Sequence, residues 1–203
     1  MVAADCRDCG GVILAAGRSQ RAGSWKPGLV VAGKTLLVHA VESLVPWCRS
    51  IVVVAGPDSE RIGDLLAGHP HVTVVVNPRR DEGMFTSVQA GVGAVESTRT
   101  ALFLQPVDCP VVPAEVFEAL CDTFLAHGAG RAVIPCHGGR GGHPVLLPGN
   151  LRRAILAAGP GSTLREILAR AGAVRAPVAS PAVLTDVDTP ADIARLRALL
   201  EGA

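Results

Sequence analysis

Gly11-Gly-Val-Ile-Leu-Ala-Ala-Gly-Arg-Ser-Gln-Arg-Ala-Gly-Ser-Trp-Lys26 decides the reading of this chain. A short apolar run, Val12 to Ala16, breaks at Gly17 into a small, basic, glycine-punctuated loop that ends in Lys26. A buried strand that runs straight into such a loop presents backbone N–H groups and fixed cations to an anion, phosphate above all. Gly17 and Gly23 allow close backbone approach, while Arg18, Arg21 and Lys26 supply positive charge. That combination suits a triphosphate whose terminal groups depart as pyrophosphate. The competing reading is a solvated turn with ordinary surface arginines. The loop is not a Walker A motif, because its glycines stand six apart and no Gly-Lys-Ser/Thr follows. It also lacks the Gly-x-Gly-x-x-Gly spacing, which argues against a nicotinamide-dependent oxidoreductase.

Outward from this stretch, apolar runs alternate with helical patterns. Val12–Ala15, Ile51–Ala55, Val72–Asn77, Ala101–Leu104, Ala132–Pro135 and Pro144–Leu147 read as strands. They are continuously apolar, the mark of strands covered on both faces in a mostly parallel sheet. Leu37, Val41 and Leu44 line one face of a first helix. Val116, Leu120 and Phe124 line a later one that starts with Pro113. Thr163 and Glu166 have capping-box spacing ahead of Ile167, Leu168 and Ala171. A last helix opens at Thr189-Pro190-Ala191-Asp192 and turns Ile193, Leu196 and Leu200 inward. The alternation predicts an α/β fold: a single doubly wound, mostly parallel sheet with helices on both faces. The domain spans residues 11–203 behind a tail of residues 1–10, and Gly138–Gly142 is a loop inside it.

Bulk properties exclude several classes. With 203 residues, the chain buries enough surface to fold without disulfides or metal. A net charge of +1, 3% aromatic residues and no tyrosine argue against a nucleic-acid partner. No apolar run is long enough to span a bilayer, and no signal peptide precedes the first strand, so a cytoplasmic protein with reduced cysteines is expected. Cys6 and Cys9 form one Cys-x-x-Cys with no second pair at metal spacing, and read as part of the frayed tail. The other cysteines read as small buried hydrophobes.

In an open α/β sheet, ligands bind beyond the carboxyl ends of the strands. Those positions hold Gly17 to Lys26, then Asn77 with Gly83-Met-Phe-Thr-Ser87 opening a helix. They also hold Gln105-Pro-Val-Asp108-Cys-Pro110, Gly141-Gly-His143-Pro144 and Thr185-Asp186-Val-Asp188-Thr-Pro190. Asp108, between two prolines at a strand end, suits a Mg²⁺ ion shared with phosphate, because Mg²⁺ takes one or two protein carboxylates. Asp186 and Asp188, two apart, face the same side of an extended segment, so one of them can supply a second carboxylate. Alternatively, Asp188 caps the last helix. Ser87 offers a hydroxyl in a first helical turn. His143 reads as structural or substrate-touching rather than as a general base, and nothing marks a covalent nucleophile.

Together the segments resemble the MobA-like nucleotidyltransferases, which include the molybdenum cofactor guanylyl- and cytidylyltransferases. The resemblance rests on Leu14-Ala-Ala-Gly-Arg-Ser-Gln-Arg-Ala-Gly23 with Lys26, and on Asn77 with Gly83-Met-Phe-Thr-Ser-Val-Gln-Ala-Gly91. It continues through Pro106-Val-Asp-Cys-Pro110, Gly142-His-Pro144 and Asp186-Val-Asp-Thr-Pro190. It implies nucleotide binding by Leu14, Ala15, Ala16, Gly17, Arg18, Asn77 and Ser87, with Arg21 and Lys26 on the phosphates. It further implies Mg²⁺ on Asp108 with Asp186 or Asp188, and an acceptor against Gly142, His143 and Pro144. The Leu-Ala-Ala-Gly form looks like the cytidylyltransferase branch, since the guanylyltransferases carry a second glycine in place of Ala16. The implied reaction transfers a nucleotide, CMP from CTP or alternatively GMP from GTP, onto a small phosphorylated acceptor such as molybdopterin. A molybdoenzyme is an implied contact. Sugar- or alcohol-phosphate transfer and a non-catalytic accessory role are the alternatives.

Overall fold

The structure is a computed structural model that describes residues 9–17 and 25–201. In chain order the elements are β1 (Cys9–Leu14), β2 (Val30–Val31), β3 (Lys34–Thr35), α1 (Leu36–Leu44), β4 (Cys48–Ala55) and α2 (Ser59–Leu65). Next come β5 (Val72–Val76), α3 (Met84–Ala94), β6 (Ala101–Pro106), α4 (Ala114–Ala126), β7 (Val133–His137), β8 (Arg140–Gly141) and β9 (Val145–Pro148). The chain closes with α5 (Arg152–Ala157), α6 (Leu164–Arg170), β10 (Val174–Pro177) and α7 (Pro190–Glu201). Short 3₁₀ turns fill several of the connections.

The main sheet runs β10-β7-β9-β6-β1-β4-β5, with β8 paired to β7. β1 is an interior strand, parallel to its neighbours β4 and β6. The continuous apolar runs are explained by the two layers that cover the sheet. Ile13, Val53 and Phe103 pack with α1 and α4 on one face. Their chain neighbours Val12, Val52, Leu102 and Leu104 pack with α3, α5 and α6 on the other. Each strand is therefore apolar at successive positions because both of its sides are dry.

The structure departs from the sequence reading in four places. β9 is antiparallel to β6 and β7, because the chain turns back on itself at the β7–β8 hairpin before entering the sheet. The glycine-rich loop is that hairpin: Gly138 and Gly139 both take positive φ, 56° and 80°, between the paired His137 and Arg140. Two positive φ values in a two-residue turn match the twist of antiparallel strands, and glycine adopts them without a steric penalty. β2, β3 and β10 are too short to carry a pattern, and β10 ends at Pro177 on the sheet edge, where a missing N–H is tolerated. Finally, β1 starts at Cys9, inside the expected tail, since Cys9 is buried in register with Cys48. Cys6 lies outside the described residues.

A third, smaller apolar cluster joins the chain's early and late parts. Val31 and Leu36 beside the β2–β3 hairpin pack against Val187 and Leu196, with Leu29, Ile193 and Leu200 at its margin. Leu29 at its margin follows the turn that begins at Lys26, and Val187 within it neighbours Asp188.

α3 lies unusually close to the sheet at Gly91. A Cβ there would stand 2.3 Å from Val12 Cγ1 and 2.9 Å from Val54 Cγ2, so the helix would have to lift. Gly91→Ala is expected to lower stability by about 1–3 kcal/mol through overpacking. The check is a shift in urea midpoint at unchanged m-value.

Candidate functional site

Where β1 ends, Leu14 to Gly17 form one wall of a cavity of about 580 Å³ that opens at the carboxyl edge of the sheet. Ala15 donates its N–H to Val54 O at 2.9 Å, and Val107 donates to Leu14 O at 3.1 Å, so strands on both sides fix this wall. Lys26 opens a short 3₁₀ turn, Lys26–Gly28, and only 9% of its surface is exposed. Trp25 beside it packs on Gly28, where a Cβ would meet the ring at 2.6 Å, and Arg61 lies over the same ring at 4.0 Å.

A buried ammonium needs partners. Lys26 Nζ donates to Asp188 and to Asp108 Oδ2, the latter at 3.3 Å. Burial opposes the charge on Lys26, but the bonds and charges of Asp188 and Asp108 outweigh it and hold its pKa above the ordinary lysine value. Asp108 sits in the turn after β6, where Cys109 donates to Pro106 O at 3.1 Å and the buried Gln105 donates to Cys109 O at 2.8 Å. Val187 donates to Asp108 O at 2.8 Å, tying this turn to the segment that carries Asp186 and Asp188.

Asp188 does not cap α7. Thr189 does so instead: its Oγ1 accepts from Asp192 N at 3.3 Å while Asp192 accepts from Thr189 N at 2.8 Å, which leaves the Asp188 carboxylate to Lys26. Burial raises the pKa of Asp186, and the charges of Asp108 and Asp188 add to the rise. Burial pushes the Cys109 thiol up to about 12, with Asp186 and Asp108 contributing, so it stays protonated.

The cavity brings together Leu14, Ala15, Ala16, Gly17, Lys26, Ser87, Asp108, His143, Asp186 and Asp188. Asn77 stands behind its wall: buried, it donates to Thr86 Oγ1 at 2.8 Å and Ser87 Oγ at 2.9 Å, and accepts from Arg79 N at 2.9 Å. It thereby fixes the start of α3 against the end of β5. Gly142 and Pro144 flank His143 without lining the cavity, and Gly142 packs so tightly that a Cβ would fall 2.0 Å from Val183 O. Arg18 and Arg21 lie outside the described residues. Three lining residues were missed in the sequence: Pro27, Arg80 and Asp81. Arg80 and Asp81 occupy the connection between Asn77 and Gly83, and their position just after a strand was the available signal. Among the described residues, no group of three or more His, Cys, Asp or Glu side chains converges as a metal cage. Asp108 and Asp188 converge as a pair.

This is the architecture of a nucleotide-handling α/β protein, and the comparisons with known proteins agree. A family model described as MobA-like NTP transferase domain matches residues 11–174. The molybdenum cofactor cytidylyltransferase of Escherichia coli K12 is 28% identical, over 95% of this chain and 94% of its own length. A molybdenum cofactor guanylyltransferase of Cereibacter sphaeroides is 32% identical, over 94% of this chain and 96% of its own. A solved nucleotidyl transferase from Methanothermobacter thermautotroptrophicus superposes with a TM-score of 0.79 at 22% identity, covering 97% and 99% of the two chains. The chain belongs to the MobA-like NTP transferase family and is a nucleotidyltransferase. Among the described residues, no helix is long and apolar enough to cross a membrane.

Two substitutions probe the framework. Asn77→Ala takes the amide partner from Thr86 and Ser87 and the acceptor from the N–H of Arg79, and is expected to cost about 1–3 kcal/mol in urea unfolding. Burial holds the His143 imidazole below the ordinary histidine pKa, with the Asp108 charge and a bond to Leu104 partly opposing. The unfolded chain therefore binds a proton that the folded chain refuses, and stability falls as pH drops below about 6.5. His143→Gln is expected to flatten that fall, read as the difference in unfolding free energy between about pH 7.5 and pH 5.5.

Proposed function

We propose that the protein transfers CMP from CTP onto the phosphate of a small acceptor, molybdopterin in the first instance, in a Mg²⁺-dependent reaction that releases pyrophosphate. The observation that carries this reading is the Lys26, Asp108 and Asp188 cluster at one end of a cavity walled by the Leu14–Gly17 backbone. The family relatives named as molybdenum cofactor cytidylyl- and guanylyltransferases support the acceptor. Ala16 favours the cytidylyl branch.

The donor set fits the metal. Asp108 and Asp188 are hard oxygen ligands, and Mg²⁺ takes one or two carboxylates while leaving its other positions to water and phosphate. Asp186 stands beside them as the further candidate. Bound there, Mg²⁺ would neutralise charge on the phosphate oxygens.

The chain's own groups perform the rest. The Leu14–Gly17 backbone holds the nucleoside, with Ser87 beside it. Lys26, and Arg21 in the adjoining loop, neutralise the departing pyrophosphate. The acceptor phosphate is already an anionic nucleophile, so no strong base is required, and the buried neutral His143 serves to position the acceptor. The main work is alignment of two anions that repel each other in water.

Lys26→Ala and Asp108→Asn are each expected to lower turnover about 10²-fold or more, the effect of losing one electrostatic stabiliser. The measurement is pyrophosphate release with each NTP and Mg²⁺, against molybdopterin and a panel of sugar and alcohol phosphates. Near-normal rates in both variants would overturn the assignment, and activity only with a sugar phosphate would replace the acceptor.

A further inference from the structure

Arg80 was not among the sequence candidates, and its setting is built rather than incidental. Its guanidinium lies against Gly56, just past the end of β4, where a Cβ would stand only 2.6 Å from Nη1 and 3.4 Å from Cζ. Any side chain at position 56 would displace it. The slot is closed by Asp81, whose Oδ1 lies 3.6 Å from Arg80 Nε. From there Nη1 reaches across to the carbonyl oxygen of Ala16 at 3.5 Å. The side chain is 23% exposed and lines the main cavity.

Its place in the sheet separates it from the ionic cluster. β4 and β6 flank β1 on opposite sides. Asp108, with Lys26 and Asp188, follows β6, whereas Arg80 leans over the end of β4. A nucleotide whose phosphates lie at the β6 side places its base toward the β4 side, between the Ala15–Ala16 backbone and Arg80.

We infer that Arg80 and the Ala16 carbonyl together form a cytosine-reading edge. An arginine fork offers two adjacent N–H donors in a plane, and the Ala16 oxygen next to it adds an acceptor. Donor, donor, acceptor is the complement of the cytosine edge, where O2 and N3 accept and the 4-amino group donates. Uracil offends the array because its N3 carries hydrogen. Adenine places an amino group beside each acceptor that the fork would pair. Guanine presents two adjacent acceptors, O6 and N7, but no amino group next to them, so it satisfies the fork and brings no donor to the Ala16 oxygen, which keeps only its bond from Arg80. The order of preference is CTP, then GTP, then UTP and ATP. This deepens the cytidylyl transfer proposed above and rests on that reading for the direction in which the nucleotide lies.

The test is equilibrium binding of the four Mg-NTPs and of pyrophosphate to the wild-type protein, Arg80→Ala and Arg80→Lys. Wild type is expected to prefer CTP over UTP by roughly ten- to a hundredfold, the discrimination of one bidentate pair. Both variants are expected to lose that ratio while pyrophosphate affinity is unchanged, because lysine keeps the charge but not the fork. An equal loss on all four nucleotides with the ratio intact would make Arg80 a phosphate ligand and overturn the inference. A wild type that prefers GTP, or none of the four, would also overturn it. Failure of nucleotidyl transfer alone, with the CTP preference and its loss in the variants standing, would count against the proposed reaction and not against Arg80.

Discussion

The ammonium of Lys26, held between the carboxylates of Asp108 and Asp188, is the contact on which the rest of the site depends. Each member alone would be costly there: a buried cation without partners, or two carboxylates repelling each other across a narrow gap. Together they offset one another and draw three strand-end segments to one point. The backbone reinforces the convergence, since the carbonyl of Asp108 is bonded to Val187, midway between Asp186 and Asp188. The cluster is thus an electrostatic arrangement and a mechanical one.

The other end of the cavity is organised by shape more than by charge. Two missing side chains do much of the work: Gly56 admits the guanidinium of Arg80, and Gly91 lets α3 settle onto Val12 and Val54. Asn77 then ties α3 to the end of β5 and sets Ser87 at the cavity wall. A polar, ion-rich end and a backbone-lined end in one pocket match the two halves of a nucleotide.

Much of this was legible in the sequence because buried strands and strand-end motifs are local signals. β1, β4, β5, β6, β7 and β9 were all recognisable from apolar runs, and Thr163 with Glu166 forms the capping box that its spacing predicts. The gathering of Lys26, Asp108, Asp186 and Asp188 followed from the rule that ligands meet at the carboxyl edge. What escaped was decided by long-range geometry. The direction of β9 depends on how the chain turns at Gly138–Gly139, and β10 forms only because β7 offers it an edge. Asp188 was open between capping and ion pairing, and Thr189 resolved it by taking the cap with Asp192 as its reciprocal partner. Arg80 was missed because nothing in Pro78-Arg-Arg-Asp-Glu82 distinguishes one arginine from the other until Gly56 is seen beside it.

The small apolar cluster of Val31, Leu36, Val187 and Leu196 has a consequence for how the protein is made. It joins the early and late parts of the chain, as does the Lys26–Asp188 pair, whose members are 162 residues apart, so neither can form while a ribosome has completed only the central sheet. At roughly 5–20 residues per second, Lys26 waits on the order of ten seconds for its second carboxylate. The nascent chain thus has its central strands and the Leu14–Gly17 segment early, and its ionic cluster only when the segment that carries Asp188 is delivered. The contact between Lys26 and Asp188 is therefore one that only a nearly complete chain can make.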